Sequence, residues 1–463
     1  MSDAVTAGSA LRQGTGPGEV WDAPVATGPL NATVEVPGSK SLTNRYLVLA
    51  ALADAPVRLR GALRSRDSEL MMGALRALGA EIDDSGEEWV ITPGAVRGGA
   101  SIDCGLAGTV MRFVPPLVLL AGLAGDTRPV TFDGDEGARV RPMGALIDAL
   151  RALGATVDDD GRGTLPFTVT PGTAVPREVE VNASASSQFV TALLLVAPRL
   201  PGGLTVRDVG EALPSLPHID MTCENLREAG IRVDQPDNRT WVVHPGPIRL
   251  GDVRVEPDLS NAGPFIAAAL VAGGTVRIPG WPAVTTQPGA LFPELLTQMG
   301  GTCSLDGDVL TVTGTGRVDA ITADLSPAGE ITPTIAALCA LATGSSELTG
   351  IGHLRGHETD RLAAIATEVD RVGGSCLAGD DSLAFGGEPG TGLRPAVMET
   401  YHDHRMATFA AILGLRVPGI QIFNVGTTSK TMPAFPQMWN DMVATASTSG
   451  GNAASGVTPV AAE

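Results

Sequence analysis

Lysine is almost missing from this chain. Of its 32 basic residues only Lys40 and Lys430 are lysines, and the other 30 are arginines. Arginine keeps its proton under all usable conditions, whereas lysine is a compact charge whose pKa can be tuned. The two that remain stand in matching contexts, Ser39-Lys40-Ser41 and Ser429-Lys430-Thr431, and mark places where proton transfer or a point contact to phosphate is needed. Positive charge is scarce overall. A net charge of −19 excludes nucleic acid and anionic membrane as partners, and an anionic ligand would require basic residues gathered locally. The five cysteines are an odd number, widely spaced and without a C-x-x-C pair, which excludes a disulfide framework and fits reduced packing residues of a cytoplasmic protein. Long apolar runs are missing too: residues 113–123 and 190–197 have core length, short of the roughly 18 residues of a membrane span. His402-x-His404 has metal-ligand spacing but no further His or Cys in register, so no metal is expected. Residues 1–20 and 446–463 are rich in small residues and are expected to be disordered tails. What remains is 43% hydrophobic and 18% charged, a globular balance for two or three domains.

The stretch Pro37-Gly38-Ser39-Lys40-Ser41-Leu42-Thr43-Asn44-Arg45 organises the reading of the rest. An extended run over residues 31–36 meets a Pro-Gly break, and Ser, Thr and Asn then lead into an apolar helix. A helix start leaves backbone N–H groups unpaired and carries partial positive charge, so it favours phosphate or carboxylate, more so with Lys40 and Arg45 within a turn.

The sequence repeats. Strand-like stretches end at Gly61, Gly134, Gly210, Gly280, Gly350 and Gly426, at intervals of 73, 76, 70, 70 and 76 residues. In phase with them, amphipathic helices close on Gly79, Gly154, Gly230, Gly300 and Gly373, where a C-cap needs positive φ. Each unit reads as helix, strand, helix, strand, turn, strand. The sixth lacks its closing hairpin, and an N-terminal hairpin of residues 22–27 and 31–36 is expected to supply it. The expected fold class is α/β, in two similar inverted domains of three βαβαββ units. One comprises residues 21–37 plus 258–445 and the other 38–257, with crossovers near Pro37-Gly38 and Glu256-Pro257-Asp258 and the active site in the cleft between them.

Polar residues gather just before the first helix of most units: Lys40, Ser41 and Arg45; Thr109 and Arg112; Ser186, Ser187 and Gln188; Glu330; and Asp403, His404 and Arg405. The fourth, residues 258–261, has no cation and reads as purely structural. Starts of second helices add Arg141, Ser215, His218, Glu358 and Arg361. Each cluster alone fits a cap or a solvated helix start; repeated in phase around two domains, they make a multidentate anion site.

The motifs Pro-Gly-Ser-Lys-Ser-x-x-Asn-Arg from Pro37, Ala-Gly-Thr-x-Met-Arg from Ala107, Ser-Ser-Gln-Phe from Ser186, Glu-Thr-Asp-Arg-Leu from Glu358, Asp-His-Arg-Met-Ala from Asp403 and Lys-Thr-x-Pro from Lys430 resemble, in that order, those of the enolpyruvyl transferases, and within them the 5-enolpyruvylshikimate-3-phosphate (EPSP) synthase family. The resemblance spans residues 22–442. It implies transfer of the enolpyruvyl group of phosphoenolpyruvate to the 5-hydroxyl of shikimate 3-phosphate, by addition and then elimination of phosphate, in a monomer without cofactor. It further implies that Lys40, Ser41, Arg45, Ser186, Ser187, Gln188, Ser215, Glu330 and His357 hold shikimate 3-phosphate. Lys40, Gly108, Arg112, Arg141, Gln188, Arg361, Arg405 and Lys430 would hold phosphoenolpyruvate, with Glu358 as proton donor to C3, Glu330 as base on the hydroxyl and Lys40 bridging both substrates. Glyphosate would compete with phosphoenolpyruvate, Gly108 leaving room that a methyl group would fill. The chain departs from the family's pattern at Leu106, Phe113, His218, His353, His357 and Glu330. The sister enzymes acting on UDP-N-acetylglucosamine are the nearest alternative, but they carry a reactive cysteine on a loop near an Arg-Pro pair, and no cysteine stands near Arg141-Pro142.

Overall fold

The computed structural model describes residues 12–386 and 392–447, so most of the two expected tails, residues 1–11 and 448–463, lies outside the described residues. The described chain forms six four-stranded sheets; five share one topology, a parallel strand pair continued by an antiparallel hairpin, and in the sixth Arg12–Gln13 closes the edge parallel to Glu19–Asp22. In one of them, strand Glu178–Val181 runs parallel to Leu204–Asp208 across the helix Gln188–Val196. After the helix Leu216–Glu228, the strands Val233–Asp237 and Thr240–Val243 form an antiparallel hairpin that pairs back onto Leu204–Asp208. The five glycines expected to end amphipathic helices all adopt positive φ, from 81° at Gly230 to 118° at Gly79.

Sequence pattern decides which helices lie inside. The helices Gln188–Val196, Leu259–Ala272 and Thr332–Leu341 are apolar on every face and buried almost throughout, so they have no solvent side. The helices Arg66–Ala77, Gly144–Ala152 and Arg361–Arg371 bury only one stripe and carry Arg and Asp or Glu outward. Two separate cores result, one drawn from residues 42–255 and the other from residues 21–34 and 259–446.

The N-terminus behaves differently from the expectation. Residues 12–20 are not all tail, and residues 22–27 and 31–36 do not form a hairpin. Strand Glu19–Asp22 runs antiparallel to Gln421–Phe423 in the last sheet, whereas Leu30–Thr33 joins another sheet, parallel to Gly274–Pro279. Val20 and Trp21 are buried, and that apolar pair anchors a strand in otherwise Gly-rich sequence. Pro24 and Pro29 lack the N–H that a ladder needs, which breaks the segment that the hairpin reading required. At the other end, Thr445–Ser447 is a 3-10 turn with Ala446 buried, so the chain stays packed slightly beyond the expected boundary.

The crossover segments lie against each other. Gly38 and Pro257 form an antiparallel bridge, Ser39 N–H donates to the Glu256 carbonyl at 2.7 Å, and Asp258 N–H donates to the Pro37 carbonyl at 2.8 Å. A Cβ on Gly38 would sit 1.9 Å from the Gly61 carbonyl oxygen, so only glycine fits. Two strands are exchanged there. Leu30–Thr33 precedes the helix Lys40–Ala51 in the chain but pairs in the other core's sheet, and Val253–Arg254 takes its place beside Val57–Arg60.

Asp258 ties the exchange together. Its carboxylate caps the helix Leu259–Ala272 by accepting from Asn261 N–H at 3.0 Å, and its other oxygen accepts from Lys40 N–H at 3.1 Å. One buried side chain thus serves helix starts belonging to both cores. Asp258→Ala removes both acceptors and is expected to cost about 2 kcal/mol, a cap plus an orphaned buried N–H. Asp258→Asn, which keeps one acceptor oxygen, should cost less. Urea denaturation midpoints read the order; an Asp258→Ala midpoint equal to that of the unaltered chain contradicts the role.

Candidate active site

The first turns of six helices meet in one cleft between the cores. Lys40 and Ser41 come from Lys40–Ala51, Gly108 and Thr109 from Gly108–Phe113, and Gln188 from Gln188–Val196. Ser260 comes from Leu259–Ala272, Glu330 from the turn leading into Thr332–Leu341, and His404 and Arg405 from His404–Gly414. Partial positive charge at each helix start adds to the basic side chains. Ser187 occupies the N-cap of its helix without making a side-chain cap bond, and Ser186 Oγ accepts from Gln188 N–H at 3.3 Å. Ser215, also on the cleft wall, starts its helix in the left-handed conformation, φ 54°, which a non-glycine residue adopts at some cost.

Positive charge outruns negative charge in this cleft. Among the described residues Arg112, Arg141 and Arg405 have no carboxylate partner. Arg112 donates to Gln188 Oε1 at 2.9 Å and lies over the Phe189 ring, and Arg141 reaches only the Leu106 carbonyl at 3.4 Å. The Nε atoms of Arg112 and Arg141 are buried with no partner. Burial, and then the neighbouring Arg141, pull the Arg112 guanidinium well below its ordinary pKa. Gly108 gives these groups room: a Cβ there would stand 3.0 Å from both terminal nitrogens of Arg141.

Glu358 is clasped by cations. Lys430 Nζ donates to its Oε1 at 2.5 Å and Arg361 Nη2 to its Oε2 at 2.9 Å. Arg361 is itself fixed by Asp403, whose Oδ2 accepts from Nε at 2.7 Å, and its Nη1 lies 3.3 Å from His357 Nδ1. Burial raises the Glu358 carboxyl, but Lys430, Arg361 and Arg141 outweigh it and hold the group well below the carboxylate range. Lys40 is lowered, first by burial, and its Nζ lies 3.5 Å from buried Asp67.

Glu330 joins the two sides of the cleft. Its Oε2 bonds to His218 Nε2 from the opposite core, and its Oε1 accepts from Ser260 Oγ at 2.7 Å. Burial raises this carboxyl too, yet His218, Arg405 and Ser260 bring it below the usual range, so it is ionised near neutrality.

Of the residues singled out from sequence, Lys40, Ser41, Gly108, Arg112, Arg141, Ser186, Ser187, Gln188, Ser215, Glu330, His357, Glu358, Arg361, Arg405 and Lys430 all line the cleft. Arg45 does not. It lies beneath the cleft wall: the residue is 1% exposed, and its guanidinium donates to the carbonyls of Ser41 and His218 at 2.9 Å and to Thr222 Oγ1 at 2.8 Å. The turn at residues 258–261, read as purely structural, also lines the cleft through Asp258 and Ser260. Position in the repeat would have revealed Ser260, which falls in the same first-turn place as Ser41. His404, from the expected cluster at residues 403–405, and His353 also line the cleft; His353 Nε2 and both ring nitrogens of His404 are buried without a hydrogen bond. His402, by contrast, is exposed, so the His402-x-His404 pair does not converge on one point.

Three comparisons with known proteins bear on the family and the fold. The family model for EPSP synthase (3-phosphoshikimate 1-carboxyvinyltransferase) matches residues 25–439. A 3-phosphoshikimate 1-carboxyvinyltransferase of Bifidobacterium longum (strain DJO10A) is 53% identical over 441 residues, 92% of this chain and 98% of the relative. The same-named protein of Kocuria rhizophila is 53% identical over 440 residues, 92% of this chain and 97% of the relative. Among solved structures, an EPSP synthase from Acinetobacter baumannii aligns with a TM-score of 0.73 at 23% identity, over 90% of this chain and 97% of that one. An enolpyruvyl transferase from Streptomyces tendae aligns with 0.67 at 20%, over 90% and 96%. The structures bear on the fold alone, which they share over 90% of this chain; the family match and the two relatives go further, and on them the chain belongs to the EPSP synthase (3-phosphoshikimate 1-carboxyvinyltransferase) family.

Proposed function

We propose that this chain transfers the enolpyruvyl group of phosphoenolpyruvate to the 5-hydroxyl of shikimate 3-phosphate, acting as a cytoplasmic monomer. The observation that carries this reading is the set of three guanidinium groups in the cleft, Arg112, Arg141 and Arg405, without a carboxylate partner. An unpaired charge buried in protein is costly, and a phosphate with a carboxylate supplies the missing partner in bidentate geometry.

On this reading Ser186, Ser187, Gln188 and Ser215 hold shikimate 3-phosphate, while Arg112, Arg141, Arg361, Arg405 and Lys430 hold phosphoenolpyruvate. Lys40 lies between the two substrates. Glu330, held ionised, takes the proton of the 5-hydroxyl as its oxygen bonds to C2, and C3 receives a proton from Glu358. In the second step the bond from C2 to the phosphate oxygen breaks with its electron pair going to the departing phosphate, a proton passes from C3 back to the Glu358 carboxylate, and the enol ether double bond re-forms. Glu358 starts as a carboxylate neutralised by Lys430 and Arg361. The substrate's own anionic groups compete for those two cations, which raises the carboxyl pKa and lets it carry a proton to C3.

The direct test is phosphate release from phosphoenolpyruvate with shikimate 3-phosphate or with UDP-N-acetylglucosamine as acceptor. Release with the first alone is expected; release with only the second, or with neither, overturns the reading.

Two variants test its parts. Glu330→Gln keeps the shape and removes the basicity, and turnover should fall about 100-fold or more, with shikimate 3-phosphate binding little changed. Near-normal turnover with a lowered melting temperature would reduce Glu330 to a structural group. Gly108→Ala places a methyl group against Arg141, and the inhibition constant of glyphosate should rise more than the KM for phosphoenolpyruvate. Equal changes in both constants would contradict a space requirement at Gly108.

A further inference from the structure

We infer that His218 is a positioning residue for Glu330, delivered across the cleft so that the carboxylate acquires its working orientation only when the two cores are together. This rests on the reading of Glu330 as the base in enolpyruvyl transfer.

The geometry is specific. Glu330 stands on the turn Gly329–Ile331 of one core, and its two oxygens are divided between the cores: Oε1 takes Ser260 Oγ at 2.7 Å from its own side, and Oε2 takes His218 Nε2 from the other. With one oxygen pinned on each side, the plane of the carboxyl group is fixed. A carboxylate held by Ser260 alone would keep a free rotation about its last torsion, and a base must present a lone pair to one hydroxyl.

His218 is also more firmly held than a residue that merely faces a cleft. It lies in the first turn of Leu216–Glu228, and its carbonyl accepts from Arg45 Nη2 at 2.9 Å and from Thr222 Oγ1 at 3.0 Å. Arg45 grips the Ser41 carbonyl at the same time, so the buried guanidinium sets the imidazole against the start of Lys40–Ala51. This gives Arg45 a purpose that its absence from the cleft wall otherwise leaves open. Its charge survives burial, which lowers it only to about 10.

The charged and titratable groups acting on or beside Glu330 are His218, Arg405, Arg45, Arg361, His353 and Asp258. Burial pushes its carboxyl up, and His218 is the leading group that brings it back down, ahead of Arg405 and Ser260. Replacing His218 therefore has a consequence beyond misplacement. The carboxyl pKa rises, and the ionised form needed of a base is lost at a higher pH as the solution is made acidic.

The test compares His218→Phe, His218→Gln, Glu330→Gln and the double variant His218→Phe/Glu330→Gln, with kcat and both KM values measured across pH. His218→Phe should lower kcat by about 30-fold or more and move the acid limb of its pH profile upward, with the KM for phosphoenolpyruvate little changed. His218→Gln, which can still donate an N–H to Oε2, should recover most of the turnover. The double variant should be no slower than Glu330→Gln alone, because His218 acts through that carboxylate. An unmoved acid limb in His218→Phe, or losses that multiply in the double variant, overturn the inference. Failure of the unaltered protein to release phosphate with shikimate 3-phosphate would instead overturn the reading on which it rests. Should His218→Phe not fold, His218→Gln decides alone: an acid limb moved upward with most of the turnover kept supports the inference, and an unmoved limb contradicts it.

Discussion

The structure depends on an imbalance of buried charge. A protein with a net charge of −19 concentrates Lys40, Arg112, Arg141, Arg361, Arg405 and Lys430 around one cleft and supplies too few carboxylates there to neutralise them. Such a surplus works against stability, because each desolvated cation lacks part of what water would have given it. It persists because the scaffold fixes the cations from outside the cleft. Asp403 holds Arg361, Phe189 lies beneath Arg112, and Gly108 leaves the space that Arg141 fills. Of the carboxylates lining the cleft, Asp258 is taken up by backbone N–H groups, while Glu330 and Glu358 are placed where protons would have to move.

The fold brings the charges together by repetition. One βαβαββ unit, used five times in full and once without its closing hairpin, sends the start of its inner helix to the same place, so a residue type at one position in the unit becomes a ring of groups in space. The exchange of Leu30–Thr33 and Val253–Arg254 at the crossover sets the starts of Lys40–Ala51 and Leu259–Ala272 side by side under a shared cap, Asp258. Stability and site geometry are therefore linked at a single carboxylate, close to the backbone N–H of Lys40.

Much of this was legible in the sequence because it is carried by local chemistry in a repeat. The glycine caps at Gly79, Gly154, Gly230, Gly300 and Gly373 declared the period, and the polar residues in phase with them marked the cleft. What stayed hidden depends on tertiary partners. Glu19–Asp22 is too short and too Gly-flanked to announce itself, and only the open edge of Gln421–Phe423 makes it a strand. Arg45 sits in the most informative motif of the chain, yet nothing local says that its guanidinium turns away from the cleft to hold two carbonyls. Ser260 and Asp258 lacked a neighbouring cation, and a search guided by cations passed them by. The contact of His218 with Glu330 joins residues 112 positions apart from different cores, beyond the reach of any spacing argument.

The central claim is that substrate anions displace Glu358 from its cations and so convert it from carboxylate to acid. Calorimetry in buffers of different ionisation enthalpy measures this directly, using phosphoenolpyruvate with the unreactive 5-deoxy analogue of shikimate 3-phosphate at about pH 7. Subtracting the uptake of Glu358→Gln removes the contribution of the ligands' own phosphates. The account predicts that the unaltered protein takes up at least about half a proton more than the variant on forming the complex. Equal uptake by the two would contradict it, leaving Glu358 a permanent counter-ion of Lys430 and Arg361.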